Sequence, residues 1–291
     1  MSSVILLTII SLSVIACIAA VILYFVARKF KVIEDPRIDE VQEILPAANC
    51  GACGFAGCRN FAEALVKADS FEGLNCPIGG ATVMEEAASI LGKTAPVTDP
   101  LIAVLLCNGT PENRPITSLY SGVLDCRISH NLYIGETDCS YGCLGYGDCV
   151  RACNFDAIFM DAATKLPVII DDKCVACGAC VKACPRNIIE LRKKARKDRK
   201  IYVACSNCDK GGPARRACKV ACIACGKCVK VCAFDAITIE NNLAYIDAKK
   251  CTFCRKCAVE CPTNAILEIN FPPRKPKVEV QVETTPDNSN V

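Results

Sequence analysis

Cys251-Thr-Phe-Cys254-Arg-Lys-Cys257-Ala-Val-Glu-Cys261-Pro262, and upstream of it Cys174-Val-Ala-Cys177-Gly-Ala-Cys180-Val-Lys-Ala-Cys184-Pro185, repeat one spacing, Cys-x2-Cys-x2-Cys-x3-Cys-Pro. Three thiolates set two residues apart wrap a tight loop round one face of a [4Fe–4S] cube. The fourth, at the start of a helix and followed by Pro, reaches the other cube of a pair. A zinc ribbon uses separated Cys-x2-Cys pairs instead of continuous quartets. The spacing therefore predicts iron–sulfur clusters and electron transfer, with a zinc-stabilised interaction scaffold as the competing class.

Composition agrees. The chain has 26 Cys in 291 residues, too long for a small disulfide scaffold. His130 is its one histidine, which excludes a Rieske centre and any multi-His zinc or di-iron site, and no Cys-x-x-Cys-His haem signature occurs. Thiolates in such number imply a reducing, cytoplasm-facing compartment. The formal charge of +3 belongs to the bare chain. Five loaded clusters at roughly −2 each would bring it to about −7.

From Val4 to Val26 runs an uncharged apolar stretch of 23 residues, followed at once by Arg28, Lys29 and Lys31. At about 1.5 Å per residue it spans a hydrocarbon core of about 30 Å. With no Lys or Arg before the run, the positive-inside bias places the N-terminus outside and the rest in the cytoplasm. A cleaved lipoprotein signal ending at Val14-Ile15-Ala16-Cys17 is the rival. It lacks a basic leading region, and the apolar run continues past it. Cys17 is then a membrane-helix residue with no metal role.

A second kind of cluster site follows. Helical spacing at Ile38 to Leu45 leads into Cys50-Gly-Ala-Cys53-Gly-Phe-Ala-Gly-Cys58, with Cys76-Pro77 downstream. The glycines let the backbone close round inorganic sulfide, while Asn60 to Lys67 and Ala81 to Leu91 read as helices. The expectation is one lone [4Fe–4S] cluster on Cys50, Cys53, Cys58 and Cys76.

From Pro100 the chain reads as two copies of one unit. An apolar strand ending in Cys occurs as Leu101 to Cys107 and again as Ile201 to Cys205. Each is followed by a quartet-like run ending in Phe-Asp-Ala-Ile, a short strand and a complete motif. In this alignment Cys139 matches Cys218, Cys143 matches Cys222, and Tyr146 stands where Cys225 stands. Cross-ligation then places Cys222, Cys225 and Cys228 with Cys261, and Cys251, Cys254 and Cys257 with Cys232. In the first copy Cys174, Cys177 and Cys180 join Cys153. Cys143, Cys149 and Cys184 are left one ligand short; Cys139 is the best replacement, and a three-Cys [3Fe–4S] site is the alternative. Cys107, Cys126, Cys205, Cys208 and Cys218 stay unassigned, enough in number for a sixth cluster beyond the five expected, with buried free thiols as the plain reading.

The expected architecture is α+β: a transmembrane helix (1–27), a linker (28–37), a helical four-Cys domain (38–92), a linker (93–100), two bacterial-type ferredoxin modules (101–192 and 201–271) joined by a basic segment (193–200), and a disordered tail (272–291). That basic segment, with Leu191 to Lys200 around it, reads as a solvated linker or as a surface steering an acidic ferredoxin or anionic lipid.

This order of parts, with Cys107-Asn-Gly after a strand and Cys139-Ser-Tyr-Gly-Cys143-Leu-Gly before a motif, resembles the B subunit of the Rnf complex over roughly residues 1 to 270. The resemblance implies a subunit of an ion-translocating ferredoxin:NAD oxidoreductase in a bacterial inner membrane, single-pass with its bulk cytoplasmic. Its implied partners are soluble ferredoxin, neighbouring subunits and lipid, with no nucleic acid. A polyferredoxin of a membrane hydrogenase is the alternative. No Gly-x-Gly-x-x-Gly follows a strand and no P-loop is present, so nicotinamide and flavin chemistry are expected on other subunits.

Overall fold

The computed structural model describes residues 2–29, 35–95 and 99–274. Lys31, residues 96–98 of the expected linker and the expected tail beyond 274 lie outside them. The chain divides into two compact units, at residues 1–96 and 97–291.

In the first unit, helix α1 (Ser2–Lys29) carries Arg28 and Lys29 in its last turn, and its Ile5–Val26 stretch is long and apolar enough to cross a membrane. Three short helices follow: α2 (Arg37–Ile44), α3 (Cys58–Lys67) and α4 (Gly80–Leu91). The expected helices at 38–45, 60–67 and 81–91 fall on them within two residues. Val41, Phe61, Leu65 and Met84 point from the three helices into one core and are almost wholly shielded from water. Each such side chain contributes roughly 1.5–3 kcal/mol by burial. Helix α4 stops at Gly92, whose φ of 64° is left-handed. Lys93 then sends its ammonium back to the carbonyls of Leu65 and Val66 at 2.7 and 3.1 Å, where the C-terminal end of α3 favours a cation. Lys93 thus closes this domain and is no part of a free linker.

In the second unit each module is a pair of two-stranded antiparallel sheets. The first contains β1 (Leu101–Leu105), α5 (Cys126–Leu132), α6 (Asp148–Arg151), β2 (Ile158–Met160), β3 (Pro167–Ile169), α7 (Ala179–Ala183) and β4 (Ile189–Lys193). Its first strand pairs with its last, Leu101 opposite Lys193 and Leu105 opposite Ile189, while β2 and β3 form the inner hairpin. The second repeats the plan with β5 (Lys200–Val203), α8 (Gly211–Ala217), α9 (Lys227–Lys230), β6 (Ile237–Glu240), β7 (Leu243–Ile246), α10 (Lys256–Val259) and β8 (Ile266–Ile269). There β5 pairs with β8 and β6 with β7.

The modules pack directly on each other. Val104 from β1 meets Tyr202 from β5 and Ala204, all buried, with Leu106, Leu267 and Ile269 around them. Beyond the strand ends the backbone N–H of Asn108 donates to the Ala204 carbonyl at 3.1 Å, and the Ser206 hydroxyl to the Leu106 carbonyl at 2.9 Å. The basic segment is correspondingly less free than its composition suggests. Leu191 to Lys193 lie in β4, and Arg192 is buried over the Tyr245 ring. Lys193 pairs with Asp99, Lys194 with Asp198 and Lys200 with Asp171, which leaves Arg196 and Lys197 as the exposed cations of the turn.

Candidate iron–sulfur sites

Four loops in the second unit share one unusual backbone. Left-handed φ recurs at matched positions: Ala176 and Gly178, Ala224 and Gly226, Phe253 and Arg255, and Gly145 and Gly147. Alternating right- and left-handed residues turn successive N–H groups toward one concavity, a nest for an anionic group such as an iron–sulfur cluster. A left-handed residue with a side chain costs about 1–2 kcal/mol. That Phe253 and Arg255 adopt it at φ of 59° and 68° shows how strongly the loop is held to this shape. The last thiol of each loop, Cys149, Cys180, Cys228 or Cys257, lies on the short helix that follows and is buried.

The thiols converge in sets of four. Cys222, Cys225, Cys228 and Cys261 line one cavity, and Cys232, Cys251, Cys254 and Cys257 another. Cys50, Cys53, Cys58 and Cys76 line a third, closed by Phe61, Ile78 and Leu45. Cys174, Cys177 and Cys153 all lie close enough to Cys180 to act on its titration. Among the described residues no group of three or more Cys, His, Asp or Glu side chains is tight enough for a single metal ion. Sets of four thiols that share a cavity suit a cube, and backbone N–H groups already face the sulfurs. Gly79 donates to Cys76 Sγ at 3.4 Å and Ala265 to Cys261 Sγ at 3.3 Å.

A fourth thiol borders the incomplete set of the first module from an unexpected side. Its cavity is lined by Cys143, Cys149, Cys184 and Cys126; Cys139 is absent from that lining. Cys126 opens α5, inside the stretch between β1 and Cys139. Asp125 caps this helix by accepting from the N–H groups of Arg127 and Ile128, and the Cys126 N–H donates to Asp148 Oδ1 at 3.0 Å. Arg151 bridges Asp148 and Asp125, fixing the helix end beside the loop. Tyr146 occupies the vacated loop position between left-handed Gly145 and Gly147.

Cys139 belongs to a different gathering, at the junction of the modules. Its sulfur accepts from the side-chain amide of buried Asn207 at 3.6 Å. Cys107 and Cys139 both act on Cys218, Cys107 acts on Cys205, and Cys139 and Cys208 both act on Tyr141. Of the five thiols unassigned by spacing, Cys126 lines the cavity of the first module, while Cys107, Cys205, Cys208 and Cys218 lie toward the junction with Cys139. A signal for that group was in the repeat: Cys107 and Cys205 end equivalent strands, and Cys139 and Cys218 are equivalent.

Burial is the leading cause of shifted titration at a subset of the thiols. It pushes Cys149 and Cys257 up to about 12 and Cys180 and Cys228 to about 11, with neighbouring thiols adding to the shift. Cys205 rises to about 12 for the same first reason, and Cys143 is raised as well. Iron reverses this preference, since a thiol that ligates it is deprotonated.

Comparison with known proteins follows the same divisions. Residues 45–77 match the family described as "Putative Fe-S cluster", 167–190 the "4Fe-4S binding domain" and 221–265 the "4Fe-4S dicluster domain". The chain is 44% identical over 255 residues to the B subunit of the Na(+)-translocating ferredoxin:NAD(+) oxidoreductase complex of Acetobacterium woodii, covering 88% of this chain and 75% of that one. It is 39% identical to the B subunit of the proton-translocating ferredoxin:NAD(+) oxidoreductase complex of Clostridium ljungdahlii, over 89% and 90%. It is 38% identical to the B subunit of the ion-translocating oxidoreductase complex of Methanosarcina acetivorans, over 91% and 99%.

Proposed function

Because this chain belongs to the family of B subunits of Rnf-type ion-translocating ferredoxin:NAD oxidoreductases, we propose that it takes electrons from soluble ferredoxin and passes them to its neighbouring subunits. The observation that carries this reading is the convergence of Cys in sets of four at nests of matched backbone shape. The proposed ligand sets are Cys50, Cys53, Cys58 and Cys76; Cys126, Cys143, Cys149 and Cys184; Cys153, Cys174, Cys177 and Cys180; Cys222, Cys225, Cys228 and Cys261; and Cys232, Cys251, Cys254 and Cys257. Cys107, Cys139 and Cys218, with Cys205 or Cys208, make a sixth at the junction. When bound, [4Fe–4S] clusters supply one-electron transfer.

The protein's own part is to hold these groups in an apolar matrix and aim N–H dipoles at their sulfurs, which sets how readily each is reduced. Helix α1 anchors the subunit in lipid of a bacterial inner membrane, and Arg28 and Lys29 at its C-terminal end keep the iron–sulfur domains on the cytoplasmic side. Anaerobic purification tests the core of the reading. A brown protein with about four iron and four sulfide per site, reduced by ferredoxin, is expected; a colourless zinc protein would sink it. Deleting the subunit should also abolish ferredoxin-dependent NAD reduction by membranes, and unchanged activity would remove it from that reaction.

A further inference from the structure

Two arginines at the module junction have no anionic partner of their own. Arg114 is 8% exposed, and Arg186 is largely enclosed. Among the described residues, neither forms an ion pair with a carboxylate, and the Nε of each is buried without a hydrogen-bond partner. Their remaining N–H groups grip the loop that carries Cys139 and Cys143. Arg114 donates to the Cys143 carbonyl at 2.7 Å, and Arg186 to the carbonyls of Gly142 and Cys139 at 2.5 and 3.4 Å and to that of Ile134. Gly142 leaves room for this, because a Cβ there would meet Nη1 of Arg114 and displace the guanidinium.

Arg114 and Arg186 line one cavity together, with Cys143 on its wall, and like charges so enclosed repel. Such a pair is stabilised by negative charge, and the loop it holds carries Cys139 and Cys143, thiols of two proposed cluster sites, the junction set and the Cys126 set.

The second module lacks the arrangement. The residue two after Cys184 is Arg186, whereas the residue two after Cys261 is Thr263, a neutral side chain whose hydroxyl lies 3.7 Å from Cys261 Sγ. Arg255 does stand in a loop of that module, but Glu268 neutralises it at 2.8 Å. Arg192, which acts on Cys251, has the Glu190 carboxylate 4.0 Å away.

We propose that Arg114 and Arg186 are potential-setting residues, the counter-charges of the clusters on either side of the 139–143 loop, and that they hold these clusters at higher reduction potentials than their counterparts in the second module. The inference rests on the cluster assignment above. Its sign follows from charge alone: reduction adds one electron from a donor such as reduced ferredoxin and no proton, so the site becomes more negative and a fixed cation nearby favours the reduced form. The junction then acts as the electron sink of the chain.

The test is an EPR-monitored redox titration of the full chain in detergent, loaded anaerobically, as wild type and as Arg114→Gln, Arg186→Gln, Arg114→Lys and Arg186→Lys. Iron and sulfide content comes first, and a wild type without them defeats the cluster assignment itself. With clusters present, the Gln variants should move one or two centres to lower potential and leave the others in place, while the Lys variants stay near wild type. Loss of one cluster from the Gln variants but not from the Lys variants would make the charges structural and overturn the potential-setting role. Unmoved centres, a shift shared by all centres, or Lys variants as displaced as the Gln variants would overturn the proposal, the last reducing the arginines to hydrogen-bonding clamps.

Discussion

In the second ferredoxin module Cys225 occupies the middle of its loop; in the first, Tyr146 stands there and a thiol arrives from α5 instead. The two loops nevertheless keep the same left-handed pattern, at Ala224 and Gly226 and at Gly145 and Gly147. The nest is therefore a property of the backbone and survives the loss of one ligand, provided some other element brings sulfur to the same cavity. Residues 106–138 supply that element in the first module. The corresponding stretch of the second, 204–217, is far shorter.

The sharpest way to break this comparison is to exchange the ligands. Cys126→Ala should remove about four iron per chain, and adding Tyr146→Cys to it should restore them, because the first loop then copies the second. Iron analysis with EPR reads both. If Tyr146→Cys rescues Cys139→Ala and fails to rescue Cys126→Ala, the missing ligand is Cys139.

A smaller effect tests what the modules share. Cys149 of the first module and Cys257 of the second, each on the short helix after its loop, are both pushed by burial from 9.0 to about 12 in the cluster-free fold. A thiol that holds its proton more tightly when folded stabilises the fold fully below the unfolded value and loses that contribution as pH rises toward the folded one. Cluster-free protein should thus be more easily denatured by urea at pH 10 than at pH 8, whereas loaded protein should change less. Equal midpoints at the two pH values in the cluster-free form would refute the burial argument.

The smallest effect concerns the turn between the modules. Replacing Arg196 and Lys197 with Gln should slow reduction by ferredoxin on the order of a few-fold at low salt and negligibly at high salt. Stopped-flow rates at two ionic strengths decide it, and a salt-independent loss would mean the residues do something other than steer. The predicted effect is modest because most neighbouring cations already have partners, Lys193 with Asp99 and Lys200 with Asp171 among them.

What the sequence disclosed and what it concealed follow one physical division. The Cys-x2-Cys-x2-Cys loops, the helices of the four-Cys domain and the paired strands are set by neighbours a few residues apart, so spacing and periodicity expose them. The placement of Cys126 beside Cys143, Cys149 and Cys184 was hidden because it depends on where an inserted helix folds back, which no local spacing encodes. The junction group was hidden for a related reason, its members being drawn from both modules. Leu191 to Lys193 read as part of a solvated basic stretch, yet cross-strand pairing with β1 made them a strand and buried Arg192 against Tyr245. The boundary drawn at residue 193 accordingly falls on the last residue of β4, and the one drawn at 93 leaves out a lysine that caps α3.

The contact of Ser206 with the Leu106 carbonyl joins residues a hundred positions apart, and this gives biosynthesis an order. A chain leaving the ribosome presents Cys50 to Cys76 complete within a short stretch, ready for its cluster while the remainder is still being made. Cys107 and Cys139 emerge without their partners and must wait until Cys218 has followed. The junction thiols therefore wait longest, reduced and unpaired on a half-built chain, while the second module closes its own sets later still, at Cys257 and Cys261.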